Sequence, residues 1–232
     1  MRVVRLKMYQ EMARFNNPSA PKGADCYPLP PFSTVNGFIH SMCQWKMYHK
    51  LDYFVTGKGI YNTKVQKEWH GGYNFNKIND EMLNRWDVIT DNANGSHTGW
   101  VNAVKYHLML VDLYTTIYIK ADDSDIDDIY HALLNPPVYP SLGEYGDLCK
   151  IEAVDIVELK ELDKPISAPL DTQSYIPVDK GNFAGTIYRI NNKYEIIKGF
   201  RRFQKVPCYL VDKEQEVVSN LFDDDKPIIF ID

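Results

Sequence analysis

Two groups of residues in this 232-residue chain have types and spacings suited to chemistry on a polyanion. In the first, Ser33, Thr34 and Asn36 open an apolar stripe of Val35, Phe38, Ile39 and Met42 at helical spacing, so Ser33 or Thr34 is expected to cap a helix. A helix start offers unpaired N–H groups and the positive end of its dipole, which suits a phosphate. Arg14 and Lys22 on the preceding loop would neutralise backbone charge, and Phe15, Tyr27 and Phe32 are candidate platforms for unstacked bases. Taken alone, a hydroxyl there is more often only a cap, and loop aromatics more often pack on a core. In the second group, Lys105 and His107 lie two apart in a strand-like run, hence on one face, and Tyr48-His49-Lys50 ends the first helix. A base and a cation so placed are what cleavage of RNA through its 2′-hydroxyl needs. A histidine in a Tyr/Leu-rich strand is nevertheless more often structural.

Other chemistries find no residues to carry them. The sequence holds no phosphate-cradling glycine loop, no metal-ligand cluster and no nucleophile triad, so neither a metal nor a cofactor is expected. Cys26, Cys43, Cys149 and Cys208 are scattered without a C-x-x-C pair, against a zinc site and a disulfide framework. Mean hydropathy is −0.38, and no apolar run approaches the roughly 18 residues of a membrane span. The first seven residues alternate charge and apolar groups, unlike a signal peptide. A soluble, cytoplasmic protein without a membrane partner is expected. The net charge of −5 hides an asymmetry: residues 1–70 hold ten Lys/Arg against four Asp/Glu, and the remainder 16 against 27. A second basic stretch, Thr186 to Val211, carries Lys198, Arg201 and Arg202 on a candidate basic face. Local potential decides polyanion binding, so this charge pattern permits a nucleic acid without requiring one.

These residues need elements to position them. Val4, Leu6 and Met8 alternate with Arg5, Lys7 and Tyr9, a first strand. After the helix at Val35–Met42, a strand is expected within Asp52–Phe75 and another over Lys105–Lys120. Ser124 is expected to cap a second helix with the stripe Ile126, Ile129, Leu133, Leu134, stopped by Pro136-Pro137. Ile151–Leu159 reads as strand, giving a β-α-β-β-α-β order, the ferredoxin-like arrangement of an α+β fold. Between His70 and Trp100 lies an Asn/Gly-rich excursion bracketed by Trp69, Trp86 and Trp100, read as a protruding arm. Beyond Pro165 the chain becomes β-rich, with a hairpin turn expected at Asn191-Asn192 and a last strand in Pro227–Ile231. The expected division is residues 1–164, with the arm at about 70–100, and a C-terminal region of 165–232.

The stretch Ala13-Arg14-Phe15, a Pro-rich loop and Tyr27-Pro28-Leu29-Pro30-Pro31-Phe32-Ser33-Thr34-Val35-Asn36-Gly37-Phe38 resembles the N-terminal signature of the Cas-five family, CRISPR-associated subunits that cap one end of type I Cascade complexes. Its wording is most similar to type I-B members. Pro136-Pro137-Val138-Tyr139-Pro140-Ser141-Leu142-Gly143, with Asp147-Leu148-Cys149 after it, resembles a second family motif, except that Glu144 stands where an arginine is common. The resemblance implies an RRM-like, RAMP-superfamily domain whose inserted arm is the family's thumb. It implies a noncatalytic subunit that binds the crRNA 5′ handle through Arg14, Phe15, Lys22, Tyr27, Ser33, Thr34, Asn36 and Gly143. It further implies that Lys77, Arg85, Trp86 and Trp100 on the thumb meet RNA or the backbone subunit, that the large subunit is a partner, and that target DNA is bound indirectly. In the type I-C branch a related subunit cuts precursor crRNA without metal, which makes a metal-independent endoribonuclease the alternative. An unrelated ferredoxin-like domain for a small ligand is the remaining reading.

Overall fold

In the computed structural model, which describes residues 1–18 and 25–231, β-branched and aromatic runs pair as long antiparallel strands. β1 (Arg2–Ala13) leads to α1 (Phe32–Met42), then β2 (Asp52–Phe75), α2 (Asp80–Arg85) and β3 (Val88–Asp91). β4 (His97–Lys120) follows, then α3 (Asp123–Leu134) and β5 (Lys150–Glu158). The C-terminal third supplies β6 (Lys160–Pro169), β7 (Gln173–Pro177), β8 (Ile187–Ile197), β9 (Phe200–Val211), β10 (Glu216–Asp223) and β11 (Lys226–Ile228). The main sheet runs β5-β1-β4-β2-β7-β9-β8, with β3 also on β4, and a second sheet runs β11-β10-β6.

Strand alternation divides the main sheet into two buried faces. Leu6, Met8, Tyr53, Val55, Ile117 and Ile119 point to one face, where α1 contributes Val35, Phe38, Ile39 and Met42, and α3 contributes Ile126, Ile129 and Leu133. Val3, Phe54 and Tyr118 point to the other, where Val217 and Ile228 of the small sheet cover them. An ionic bond fastens the two sheets: Asp223 accepts from Arg5 Nη1 at 2.7 Å and from the Tyr118 hydroxyl at 2.7 Å. Residue 164 falls inside β6, and β7, β9 and β8 extend the sheet begun by β1–β5, so the sheet has no break there.

Several local expectations are corrected. α1 begins at Phe32, two or three residues earlier than a cap at Ser33 or Thr34 would place it, with Pro31 as its extended N-cap at φ −61° and no side-chain cap. Ser33 and Thr34 therefore lie inside the first turn. α3 likewise starts after Asp122, and Ser124 is within the helix; Leu134 ends it exposed. β8 runs through Asn191-Asn192, which mark only a register shift, and the turn is Lys198-Gly199 with φ of 52° and 80°. Two consecutive positive φ angles are what a tight two-residue hairpin demands, and glycine supplies one at no steric cost.

β1 ends opposite Leu110, and past that point β2 and β4 continue as a hairpin arm, with β3 paired to β4 near its tip. The arm is longer than the expected 70–100, since both strands are unbroken from the sheet body to its tip. A bulge sits where it departs: Lys58 pairs with Tyr114 and Ile60 with Val111, leaving Asp112 at φ 49°. Such an extra residue bends a strand and increases its twist.

Ile117 lies between Leu6 and Val55 and is fully buried, so Ile117→Ala is expected to cost about 2–5 kcal/mol in urea unfolding. Ile196→Ala, at an exposed position of β8, is expected to stay within about 0.5 kcal/mol. Equal losses at the two positions would contradict this assignment of the core.

Candidate functional site

α1 carries two faces. The apolar stripe is buried, and Ser33, Asn36, Gly37 and His40, spaced i, i+3, i+4 and i+7, fall together on the opposite side. They floor a cleft of about 340 Å³. Its far wall is the β8–β9 hairpin, where Tyr194 and Phe203 stand opposite each other with ring centroids 5.6 Å apart. The Arg201 guanidinium lies 4.9 Å from the Tyr194 ring centre, a cation–π arrangement. Strand alternation sends Arg202, paired with Glu195, to the other side of the hairpin, while Lys198 occupies the turn. The basic residues Lys198, Arg201 and Arg202 thus divide between positions, and Arg201 is the one that lines the cleft.

The near wall is an aromatic cluster built by the segment after α1, which holds Tyr48-His49-Lys50; these are not the end of the first helix as expected, because α1 stops at Met42, and Trp45 beside them carried no expectation. Trp45 stacks on His49 at 3.8 Å and 9°, and His40 lies 6.0 Å from Tyr48 at 26°. The His40 partners select one tautomer: Nδ1 donates to the Asn36 carbonyl at 2.9 Å, and Nε2 accepts from the His49 backbone N–H at 3.1 Å. His49 in turn reaches Asp125 of α3 through Nδ1 at 2.9 Å. Burial holds the His40 pKa below its ordinary 6.5, and an added proton on Nε2 would face an N–H donor. The run Trp45-Lys46-Met47-Tyr48-His49 was the available sequence signal: aromatic density directly after a helix whose outer face is small and polar.

The remaining N-terminal candidates serve other ends. Phe15 and Tyr27 are each 2% exposed, members of the core, so neither is a platform for a base. The Tyr27 hydroxyl donates to the Arg189 carbonyl. Arg14 is 10% exposed at its side chain and bonds Glu144 at 3.0 Å, so the glutamate that departs from the family pattern occupies the arginine. The Arg14 N–H and the Glu144 N–H both donate to Asp147 at 2.8 Å. Gly143, at φ 123°, closes over this junction: a Cβ there would lie 2.6 Å from the Asp147 carboxylate. Lys22 lies outside the described residues. Ser33, Thr34 and Asn36 remain half-buried on α1, and Ser33 and Asn36 reach the cleft.

On the arm, Trp86 points inward. Its indole lies across Gly72 and Gly99 so closely that a Cβ on either would fall within about 2.2 Å of the ring. Arg85 sits 5.3 Å from the Trp86 ring centre, and the Trp100 indole donates to Thr90 at 2.8 Å. Both tryptophans therefore hold the tip of the arm to itself, while Lys77 and Arg85 are exposed. Cross-strand register places Val65, Trp69, Val104 and Tyr106 on one face of the arm, all exposed. Lys105 and His107 share the other face, and both are held by Glu68, Lys105 at 3.0 Å. His107 is 4% exposed. No helix among the described residues is long and apolar enough to cross a membrane.

The comparisons bear on the fold. A chain of a solved "CRISPR RNA-guided surveillance complex" superposes with a TM-score of 0.53 and 16% identity, over 92% of this chain and 91% of that one. A second solved chain, described as a Cas protein, gives 0.45 and 11% over 99% of both, and a CRISPR protein from Archaeoglobus fulgidus gives 0.47 and 10% over 98% of both. No protein-family model and no curated protein matches. The chain is thus a mixed α+β protein, dominated by antiparallel sheet, that shares its fold with a chain of such a surveillance complex.

Gly99→Ala is expected to displace the Trp86 ring and raise hydrogen exchange through residues 70–100, with the body's melting temperature unchanged. Unaltered exchange in the arm would contradict the clamp. An NMR titration of the His40 ring is expected to give a midpoint below 6.5, with the His49 amide signal shifting in step as the pH falls through it. A midpoint at or above 6.5 would contradict burial as the dominant influence on the ring, and a neutral ring protonated at Nε2 would contradict the tautomer assignment.

Proposed function

We propose that this chain is a noncatalytic RNA-binding subunit of a type I CRISPR interference complex, one that holds the 5′ handle of crRNA and caps the backbone-subunit filament. The observation that carries this reading is the superposition on a surveillance-complex chain over nine-tenths of both chains. The element order β1-α1-β2-β4-α3-β5, with sheet order β5-β1-β4-β2 and antiparallel neighbours throughout, agrees with a ferredoxin-like, RAMP-type domain. The long β2–β4 hairpin supports the reading of a thumb, and its exposed apolar face suits contact with a neighbouring subunit.

Handle binding, on this reading, uses the outer face of α1 rather than Phe15 and Tyr27, which are core. On this reading Lys105 and His107 do not cleave RNA: a 2′-hydroxyl must come within hydrogen-bond reach of its base, and here Glu68 engages both groups while His107 is buried. Endoribonuclease activity is the competing outcome.

The test is labelled RNA carrying the cognate repeat 5′ handle, mixed with the full chain in EDTA and run on native and denaturing gels over a salt series. Retention of intact RNA is expected. The double variant Lys46→Ala/Arg201→Ala, both residues of the cleft beside α1, is expected to flatten the salt slope of log K by up to about 1.4, for two contacts at about 0.7 each on a single strand. Cleavage at the repeat would replace this reading with a processing nuclease. Failure to retain the handle at any salt concentration would overturn it.

A further inference from the structure

We infer that the cleft between α1 and the β8–β9 hairpin is a seat for one unstacked nucleotide, its base between the Tyr48 and Tyr194 walls and its phosphate toward Arg201 and Lys46. The inference rests on the RNA-binding reading and gives it an address.

Size is the first support. About 340 Å³ is too small for a duplex or a folded partner and falls in the range of pockets that hold one small molecule. Wall chemistry is the second. One side presents Trp45, Tyr48 and His40, and the other Tyr194 and Phe203, so a planar base entering the cleft meets rings on both sides. Tyr48 is 53% exposed and Tyr194 36%, which leaves ring surface for stacking.

Charge is the third support. The chain has 31 Asp and Glu, yet among the described residues none lines this cleft, whereas Lys46 and Arg201 both do. Glu195 pairs with Arg202 across the strand on the hairpin's other side, and Asp125 is engaged by His49 behind the aromatic wall. The lining therefore complements an anion.

Gly37 adds an independent observation. A glycine inside a helix costs about 1 kcal/mol against alanine, and nothing near Gly37 requires one: a Cβ there would meet no atom within 4 Å. The missing side chain keeps the floor open between the Ser33 hydroxyl and the Asn36 amide, which can address a base edge. The walls are set in advance, with His40 fixed between Asn36 and the His49 N–H, and Tyr194 braced by Phe203.

The probe is a single-stranded RNA octamer with one 4-thiouridine, cross-linked to the full chain by long-wave ultraviolet light and mapped by peptide mass spectrometry. Adducts are expected in the segments containing Tyr48 or Tyr194–Phe203. Tyr48→Ala and Tyr194→Ala are each expected to weaken octamer binding roughly tenfold, and Tyr194→Phe, which keeps the ring, to stay within about twofold. Gly37→Leu, whose side chain enters the cleft from an exposed helix position, is expected to remove the adduct while the melting temperature holds. Loss of the adduct to millimolar UMP, with the octamer still retained, would support the seat and make a free nucleotide its occupant. Retention of the octamer with adducts only elsewhere and unchanged affinity in all variants would overturn the seat while leaving the RNA-binding reading intact. No retention even at low salt would overturn that reading, and the seat with it.

Discussion

The pairing of β2 with β4 sets the terms for everything else in this molecule. In the body the pair is sandwiched between β1 and β7, so Val55 and Ile117 face the helices while Phe54 and Tyr118 face the small sheet. Beyond Leu110 the same ladder loses β1 and becomes the arm. One hydrogen-bonded register thus fixes both the core and the direction in which the arm leaves it, and a one-residue slip would turn every buried side chain of either strand to the wrong face.

The cleft depends on that register at one remove. β2 carries β7, β7 carries β9, and β9 carries β8, which brings Tyr194 and Arg201 back over α1 although some 160 residues separate them along the chain. On its inner face α1 is held by the sheet core, and on its outer face it is left polar and small. The cleft is thus made of one helix face from the start of the chain and one hairpin from its end, with the C-terminal strands completing a site begun by the N-terminal ones.

This explains what the sequence could and could not disclose. The α1 stripe, the β1 alternation and the α3 stripe are local periodicities, and local periodicity is legible. The caps were misplaced because proline and aspartate competed with serine and threonine at adjacent positions, and propensity alone does not rank neighbours. Asn191-Asn192 looked like a turn, but continued pairing of β8 with β9 outweighed the local preference and moved the turn to Lys198-Gly199. The loop composition suggests surface platforms at Phe15 and Tyr27 and conceals that these two, with Cys26 and Leu29, belong to the core. Trp86 is visible as a signal, but that it points inward depends on two glycines, Gly72 of β2 and Gly99 of β4, that leave room for its ring. The wall formed by Tyr194 and Arg201 could not be paired with Ser33 and Asn36 without the sheet order.

If the arm meets a partner as proposed, the clamp of Trp86 over Gly72 and Gly99 bears on the kinetics of that encounter. A long polar insertion that ordered itself only on meeting a partner would spend part of its interaction energy on freezing its own backbone, and its encounter rate would fall with the fraction of time it spent misshapen. Here the indole fills the gap between strands before any partner arrives. On the proposed subunit reading, the arm would dock as a preformed prong, and the tightness of its union would be governed by how fast it lets go rather than how fast it takes shape.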